Sequence, residues 1–345
     1  FKESTSTKLR VVFNASSKTE SGLSLNDNLL AGPTIQDDLF AILTRFRTFK
    51  YVLSGDITKM YRMILMHPEH TDYQRIFWRD NIQDELKTFR LTTLTYGTKP
   101  ASFIAIRCLH ELALQFKSQY PEAAKIIQRD FYVDDLLTGH NSVEELIVIR
   151  DQIIEILKHG GFSLRKWASN HSELIPDTLS HEQNLNIRLD KGEYTKPLGL
   201  LWNPYHDILN YSVRDFEYNV SNQITKREIL SKTAQIFDPL GLIAPVIVTA
   251  KIVIQRLWML KIGWDEPVPE TIQQTWQNLL RTFGSLNQIN IPRNIIQINR
   301  IAIEMHGFGD ASQVAYGAAV YLRVTDSSEN SQTHLIAAKS RIAPL

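Results

Sequence analysis

An α+β fold is the class that this 345-residue sequence predicts. The first reason is that the spacing of apolar residues alternates along the chain between about 3.6 residues, typical of helices, and about 2 residues, typical of strands. The second reason is the composition, since 43% hydrophobic and 22% charged residues are usual for a soluble globular chain that buries a core. A chain of this length is expected to form two or three domains.

The amino-terminal half supplies a mixed set of elements. Apolar residues recur at helical spacing in 35–46, and residues 49–56 form an apolar run that ends on a carboxylate. Pro100 suits the first turn of a helix over 101–116. Strands are predicted at 8–13, 49–56, 73–79 and 86–91, the last two paired, and a hairpin at 129–139.

The carboxyl-terminal half continues the same mixture. Ser142 and Glu145 have the spacing of a capping box, which predicts a helix that ends at the glycines of 159–161. Further strands are predicted at 162–167 and 194–202, and helical spacing returns between 225 and 261. From Arg300 onward, three short alternating runs predict a three-stranded meander.

The net charge of +1 means that any nucleic-acid surface must be a local patch. Residues 225–261 are the candidate, because they hold an excess of basic side chains over the two acids Glu228 and Asp238. These basic residues are Lys226, Arg227, Lys232, Lys251, Arg256 and Lys261. A helical face that is merely solvated is the alternative explanation.

Several classes of protein are excluded by what the sequence lacks. A single cysteine, Cys108, rules out an internal disulfide framework, and the ten histidines show no HExxH spacing. The most apolar run, 242–254, is too short to span a bilayer and contains Lys251. We therefore expect an intracellular protein, in a cytoplasmic particle or the nucleus, that is not secreted and has no membrane partner; the start at Phe1 suggests a fragment of a longer polypeptide.

Two adjacent carboxylates, Asp134 and Asp135, stand in the predicted hairpin "FYVDDLLTG". They repel each other and fit an apolar core poorly unless something positive lies against them. Asp56 ends a predicted strand, so one sheet could present all three acids at a common edge. Converging carboxylates bind Mg²⁺, and a pair of ions can activate an attacking hydroxyl and stabilise a leaving oxygen in phosphoryl transfer. The alternative is that the two aspartates simply close a turn.

The neighbours of these acids resemble, in order and spacing, the sequence blocks of reverse transcriptases from long-terminal-repeat retroelements. The similar segments are "KLRVVFNAS" (8–16), "SGDITKMYRMI" (54–64), "LTYGTKPASF" (94–103), "YVDD" (132–135), "GGFSLRKW" (160–167) and "KPLGLLW" (196–202). Within that group, "GLSLNDNLLAGPTIQDDLF" and "SKTAQIFDPLGLIAP" look most like the BEL/Pao class of retrotransposon Pol polyproteins. The resemblance implies a right-hand polymerase of fingers, palm and thumb.

The resemblance also implies roles for the charged residues. Asp56 and Asp134 would hold two Mg²⁺ ions, for which Mn²⁺ is a possible substitute, with Asp135 as a weaker ligand. Lys166 would donate a proton to the pyrophosphate leaving group, although an exposed strand lysine is an equal alternative. Arg10 would contact the triphosphate, because its guanidinium nitrogens match the spacing of phosphate oxygens. Lys2 would contact it as well, although the sequence does not fix its alignment relative to Arg10.

Further residues would bind the substrates. Tyr61 would lie under the sugar of the incoming nucleotide and exclude a 2′-hydroxyl, or else be a core aromatic. Gly97 would let the backbone approach the substrate closely, or else be a plain loop glycine. The resemblance assigns Tyr132 and Val133 to the primer terminus, and Leu198 and Gly199 to the primer grip.

The tail, 306–322, looks like the start of a ribonuclease H domain, with Asp310 as its first metal-binding acid. Further acids of that domain are not found before Leu345, so no ribonuclease H activity is expected. The expected domains are fingers and palm over 1–203, thumb and connection over 204–299, and a partial ribonuclease H-like domain over 300–345.

The expected activity is RNA-directed DNA polymerisation for retrotransposon replication. The partners are an RNA or DNA template with a primer, deoxynucleoside triphosphates and Mg²⁺, and the sequence leaves the oligomeric state open. The alternatives are a decayed or domesticated copy that binds nucleic acid without synthesis, and a metal-dependent phosphohydrolase that uses the same acids.

Overall fold

A computed structural model describes residues 11–176, 200–213, 224–296 and 299–344 of the chain. The chain divides into two compact units, each built from several segments. The first unit comprises Phe1–Asp38, Leu53–Thr138 and Ser142–Ile187. The second comprises Leu39–Val52, Gly139–Asn141 and Arg188–Leu345.

Helices and strands both occur throughout the described residues, which confirms the predicted mixture. The helices are α1 (Leu39–Phe46), α2 (Ala101–Phe116), α3 (Pro121–Arg129), α4 (Val143–His159), α5 (Lys226–Ala234), α6 (Ala244–Met259) and α7 (Glu270–Phe283). The strands are β1 (Tyr51–Ile57), β2 (Arg75–Trp78), β3 (Lys87–Arg90), β4 (Phe131–Tyr132), β5 (Asp135–His140), β6 (Leu164–Ser169), β7 (Leu201–Asn203), β8 (Ile208–Asn210), β9 (Asn290–Pro292), β10 (Arg300–Ala311), β11 (Ala315–Asp326) and β12 (Ser331–Ile342).

The first unit holds most of a four-stranded sheet with the order β4-β5-β1-β6. Strands β4 and β5 form the predicted hairpin, and β1 pairs with β6 in antiparallel orientation. Helices α2, α3 and α4 pack against one another and bury Leu109, Ile126 and Ile153. Removing this apolar surface from water is the main stabilising term for such a layer. The sheet carries the candidate acids at the end of β1 and in the β4–β5 turn.

Local signals in the sequence account for several boundaries in this unit. Pro100 is the N-cap residue of α2, and the Ser142 hydroxyl accepts a hydrogen bond from the Glu145 N–H at 3.1 Å, as the capping box predicts. The paired strands expected around residues 79–86 are β2 and β3.

The strand expected at 8–13 is not confirmed in its described part. Residues 11–13 have no strand partner there, and the Val11 carbonyl instead accepts a hydrogen bond from the Tyr96 hydroxyl at 2.6 Å. Residues 8–10 lie outside the described part of the chain. Apolar, β-branched composition alone therefore gave a wrong prediction for 11–13, because the backbone carbonyl at 11 bonds to a side chain rather than to a neighbouring strand.

In the second unit, α1 and the small sheet β7-β8-β9 share a core. Phe46 packs edge-on against the buried Trp202, with ring centroids 5.2 Å apart. Arg293, directly after β9, is fully buried and forms two short hydrogen bonds to Asp207, from Nε at 2.6 Å and from Nη2 at 2.7 Å. The same guanidinium donates to the carbonyls of Phe46, Phe49 and Lys50 at 2.5, 2.8 and 3.1 Å. One side chain thus satisfies the carbonyl of the last residue of α1 and two carbonyls of the segment that follows.

The three-stranded meander expected from Arg300 is present as β10-β11-β12. Helix α6 packs on β12, and the turn before it approaches that strand very closely. Gly241 adopts a φ of +70°, and a Cβ there would lie 1.7 Å from the Ala338 carbonyl oxygen. Glycine is required at this position because a side chain has no space.

The expected basic patch is smaller than the sequence indicates. Lys226 is buried, with its ammonium 3.4 Å from the ring centroid of Trp258. Arg227 forms an ion pair with Asp265, and Lys232 forms one with Glu228. Half of the six basic side chains of 225–261 are therefore engaged within the second unit, while Lys251, Arg256 and Lys261 are exposed. Within the described part of the chain, no helix is long and apolar enough to cross a membrane.

Candidate functional site

Asp56 stands near the end of β1, next to an irregularity in the pairing of that strand with β6. The register shifts between Ser54 and Asp56, where Gly55 lies opposite two residues of β6, Lys166 and Trp167, so the bulge is in β6. A Cβ on Gly55 would lie 3.3 Å from the Trp167 ring, which leaves little space for a larger residue. A bulge bends the strand that carries it and re-aims its side chains, here those of β6. The Asp56 side chain is 25% exposed.

The turn of the β4–β5 hairpin holds Asp134 beside Asp56. Tyr132 pairs with Asp135, so Val133 and Asp134 form a two-residue turn. The Ile57 N–H donates to the Asp134 carbonyl at 2.8 Å, which fixes the turn against the end of β1. The expected convergence of the acids at one edge of the sheet is therefore present in the backbone.

The three carboxylates act on one another electrostatically. Burial and then the charge of Asp56 raise the pKa of Asp134 above its ordinary value. Burial, followed by the charges of Asp134 and Asp56, raises the pKa of Asp135 to about 7. The charge of Lys166 opposes both shifts. Carboxylates that resist ionisation in this way favour a nearby cation.

Lys166 is the positive group that these acids require. Its ammonium lies 2.8 Å from the Asp56 Oδ2 atom, and its charge also acts on Asp134 and Asp135. Lys166 is held on β6 with a φ of +54°, an unusual conformation for a residue with a side chain. Val133 (φ +57°) and Lys59 (φ +51°) are also left-handed. Backbone strain of this kind often clusters at functional sites.

The donor set fits a divalent cation on chemical grounds. Carboxylate oxygens are the hard ligands that Mg²⁺ and Mn²⁺ prefer, and one lysine leaves three acids incompletely neutralised. Among the described residues, however, no group of three or more His, Cys, Asp or Glu side chains is arranged to hold a metal ion without adjustment. A metal would therefore require the side chains of Asp56, Asp134 and Asp135 to adjust.

Tyr61 and Gly97 lie close to each other in the first unit. The Tyr61 ring is 6.3 Å from that of Tyr96, edge to face, and its hydroxyl is 3.3 Å from the Ser102 hydroxyl. Gly97 has a φ of +90°, and a Cβ there would lie 2.4 Å from the Phe13 carbonyl oxygen. The glycine is thus required by the fold itself, whatever its role toward a substrate.

Four of the residues assigned by resemblance are outside the described part of the chain. They are Lys2, Arg10, Leu198 and Gly199. Tyr132 and Val133 are described, and both are partly buried in the hairpin. Asp310 lies on the exposed strand β10, and its carboxylate accepts a hydrogen bond from the Ala311 N–H at 2.9 Å. Asp310 also lines an open groove with Pro245 and Val248 of α6.

The raised pKa of Asp135 predicts a dependence of stability on pH. The native state binds more protons at this group than the unfolded state between about pH 4 and pH 7, so the stability that the protonated carboxyl contributes is lost as the pH rises through about 7. We expect Asp135→Asn to increase the free energy of unfolding by about 1–3 kcal/mol at pH 8 in metal-free buffer and by little at pH 4. Urea unfolding at the two pH values measures this. The control is Asp72→Asn. Arginines lower the pKa of the exposed Asp72 carboxyl, so this substitution should give no gain in stability at pH 8. Equal gains for Asp135→Asn at the two pH values would contradict the prediction.

Comparison with known proteins gives matches to retroelement proteins. The Pao retrotransposon-like RNaseH-like domain family matches residues 225–345. A search of curated proteins found no match.

Two solved foamy viral structures share the fold. The protease-reverse transcriptase dRH in complex with double-stranded DNA is 13% identical, with a TM-score of 0.55, over 92% of this chain and 48% of that one. The protease-reverse transcriptase in complex with an RNA/DNA hybrid is 14% identical, with a TM-score of 0.55, over 93% of this chain and 37% of that one. The chain therefore spans less than half of each. The likeness to a retroelement domain thus concerns residues 225–345, and the two foamy viral structures show a similar fold.

Proposed function

We propose that the chain is the reverse transcriptase region of a BEL/Pao-class retrotransposon Pol polyprotein, which adds deoxynucleotides to a primer along an RNA or DNA template. One observation carries the proposal. Three mutually repelling carboxylates, Asp56, Asp134 and Asp135, meet at one edge of a sheet beside Lys166. The backbone is left-handed at Val133, next to Asp134, and at Lys166 itself. Structural ion pairs alone do not require the turn of a hairpin to carry two partly buried acids.

The residues of the chain supply orientation and charge. Asp56 and Asp134 would hold two Mg²⁺ ions, with Asp135 as a weaker ligand, and the metals would supply charge neutralisation and an activated primer hydroxyl. Tyr132 and Val133 would position the primer terminus. The Lys166 side chain, 53% exposed, places its ammonium beside the acids and would donate a proton to the pyrophosphate leaving group.

Nucleic-acid binding is proposed to depend on phosphate contacts. The two foamy viral enzymes are complexed with DNA and with an RNA/DNA hybrid, which supports the same class of ligand for this chain. Lys251, Arg256 and Lys261 are the exposed cations of the expected basic segment that remain for phosphates. Arg10 and Lys2 would contact the triphosphate, Gly97 the nucleotide, and Leu198 and Gly199 the primer. The ribonuclease H-like region starts at 225 in the family match, ahead of the boundary expected at 300.

Primer extension on RNA and DNA templates with Mg²⁺ tests the proposal. Synthesis that requires a primer and all four deoxynucleotides supports it. Binding to primer–template with no extension in Mg²⁺ or Mn²⁺ would favour a copy that binds nucleic acid without synthesis. Phosphate release without a primer requirement would favour a phosphohydrolase.

Selection of the sugar gives a further prediction. Tyr61→Ala is expected to raise the ratio of ribonucleotide to deoxynucleotide incorporation by about tenfold or more, because removing the ring opens space for the 2′-hydroxyl and a lost packing contact contributes about 1–3 kcal/mol of discrimination. Single-nucleotide kinetics with both substrates measure it. Tyr61→Phe is the matched control, since it removes the hydroxyl near Ser102 and keeps the ring. An unchanged ratio in Tyr61→Ala would make Tyr61 a core residue.

A further inference from the structure

The turn that carries Asp134 contains a residue in an unfavourable conformation. Val133 has a φ of +57°, which is disfavoured for a β-branched side chain because its Cβ crowds the backbone. Such a conformation persists only where neighbouring groups hold it. One neighbour that holds it is Gln36, whose Oε1 atom accepts a hydrogen bond from the Val133 N–H at 3.1 Å. The two residues are 97 positions apart in the sequence.

The loop that precedes Gln36 packs closely against α2. Gly32 has a φ of +79°, and a Cβ there would lie 2.4 Å from the Phe103 ring of α2. The loop is therefore packed closely against α2 at Gly32 and bonded to the hairpin at Gln36. A short loop fixed at two points can hold a side chain with little freedom, which is what a positioning group needs.

The chemistry of an amide suits this position. An aspartate or glutamate could accept the same N–H, but it would add a negative charge beside Asp134 and Asp135, whose pKa values are already raised by burial and by neighbouring carboxylates. A neutral carboxamide accepts the hydrogen bond without that penalty.

We infer that Gln36 is a positioning residue for the proposed polymerase site, and that its hydrogen bond to Val133 holds the β4–β5 turn in the conformation that presents Asp134 and Asp135. The inference rests on the proposed function for its catalytic consequence. Its structural part, that Gln36 orders the turn, can be tested without activity.

Residue-resolved hydrogen exchange of the metal-free protein tests the structural part. In Gln36→Met, which keeps the side-chain length and removes the acceptor, the Val133 amide is expected to exchange faster by about tenfold, the value of one ordinary hydrogen bond. Gln36→Glu keeps the acceptor and should preserve the protection. Gln255→Met is the matched control, because Gln255 is a buried glutamine in the second unit that donates to the Ala343 carbonyl. Unchanged exchange at Val133 in Gln36→Met would overturn the inference.

Single-nucleotide primer extension tests the catalytic part. In Gln36→Met, kcat is expected to fall on the order of tenfold while the KM for deoxynucleotide stays within about twofold, because a misplaced turn affects the chemical step rather than binding. Wild-type kcat in Gln36→Met, or a rise in KM alone, would contradict the positioning role. Absence of extension by the wild-type protein would instead refute the proposed function and leave the exchange result to decide the role of Gln36 in the turn.

Discussion

Asp134→Asn is expected to lower deoxynucleotide addition by about 10³-fold or more, since bound metal ions contribute several kcal/mol to stabilising the transition state. The substituted side chain keeps its size but loses the negative charge next to Asp56. Primer–template affinity should change little, because it depends on phosphate contacts elsewhere and falls steeply with salt. Single-turnover extension and a binding titration on the same protein separate the two effects.

A matched control removes a carboxylate outside the site. Asp151→Asn removes the same charge from the surface of α4, where Asp151 pairs with Arg150. It should extend primers at the rate of the wild-type protein. Extension by Asp134→Asn at the wild-type rate would remove Asp134 from the catalytic site, and a parallel loss of affinity would assign it to binding.

Arg293→Met is expected to reduce the free energy of unfolding of the second unit by about 3–5 kcal/mol, because it removes the guanidinium from the partly buried Asp207 carboxylate. The guanidinium is fully buried and also donates to three carbonyls, one at the end of α1 and two after it. Those carbonyls would lose a donor at the same time. Arg293→Lys should recover little of this, since one ammonium cannot reproduce the fork. Urea unfolding monitored by tryptophan fluorescence, to which Trp202 on Phe46 contributes, reports the change.

The chain offers a close control for this prediction. Arg227 binds Asp265 through the same two guanidinium nitrogens, at 2.7 and 2.9 Å, but at the surface. Arg227→Met is therefore expected to leave stability nearly unchanged, because water solvates and screens an exposed ion pair. Equal effects at the two arginines would show that burial is not what gives Arg293 its importance.

Much of the fold follows from local patterns in the sequence. The α4 cap at Ser142, the β2–β3 pair and the meander from Arg300 are confirmed, because each depends on residues close together in the chain. Helices α3 and α7 were not predicted, although both have one apolar face. Of the strand expected at 8–13, the described residues 11–13 do not form a strand, and the Val11 carbonyl accepts a hydrogen bond from the distant Tyr96 hydroxyl. Long-range bonds of that kind have no sequence signal.

Some residues of the candidate site can be predicted from the sequence and others cannot. Asp56, Asp134 and Asp135 could be proposed from their neighbours, and their convergence follows from strands that share a sheet. Gln36 could not, since a glutamine in a loop is ordinary and its partner is far away in sequence. The engagement of Lys226 with Trp258 likewise depends on packing, so counting charges overstated the basic surface.

The contacts of α1 have a consequence for how the protein is synthesised. Arg47, at the end of this helix, hydrogen-bonds to the Arg293 carbonyl, 246 residues later in the sequence. At a synthesis rate of about 5–20 residues per second, a ribosome needs roughly 12–50 s to make the intervening chain. The buried face of α1, with Ile42, Leu43 and Phe46, therefore emerges well before the residues that cover it. During that interval the chain exposes apolar surface, which makes an incomplete polypeptide prone to aggregate.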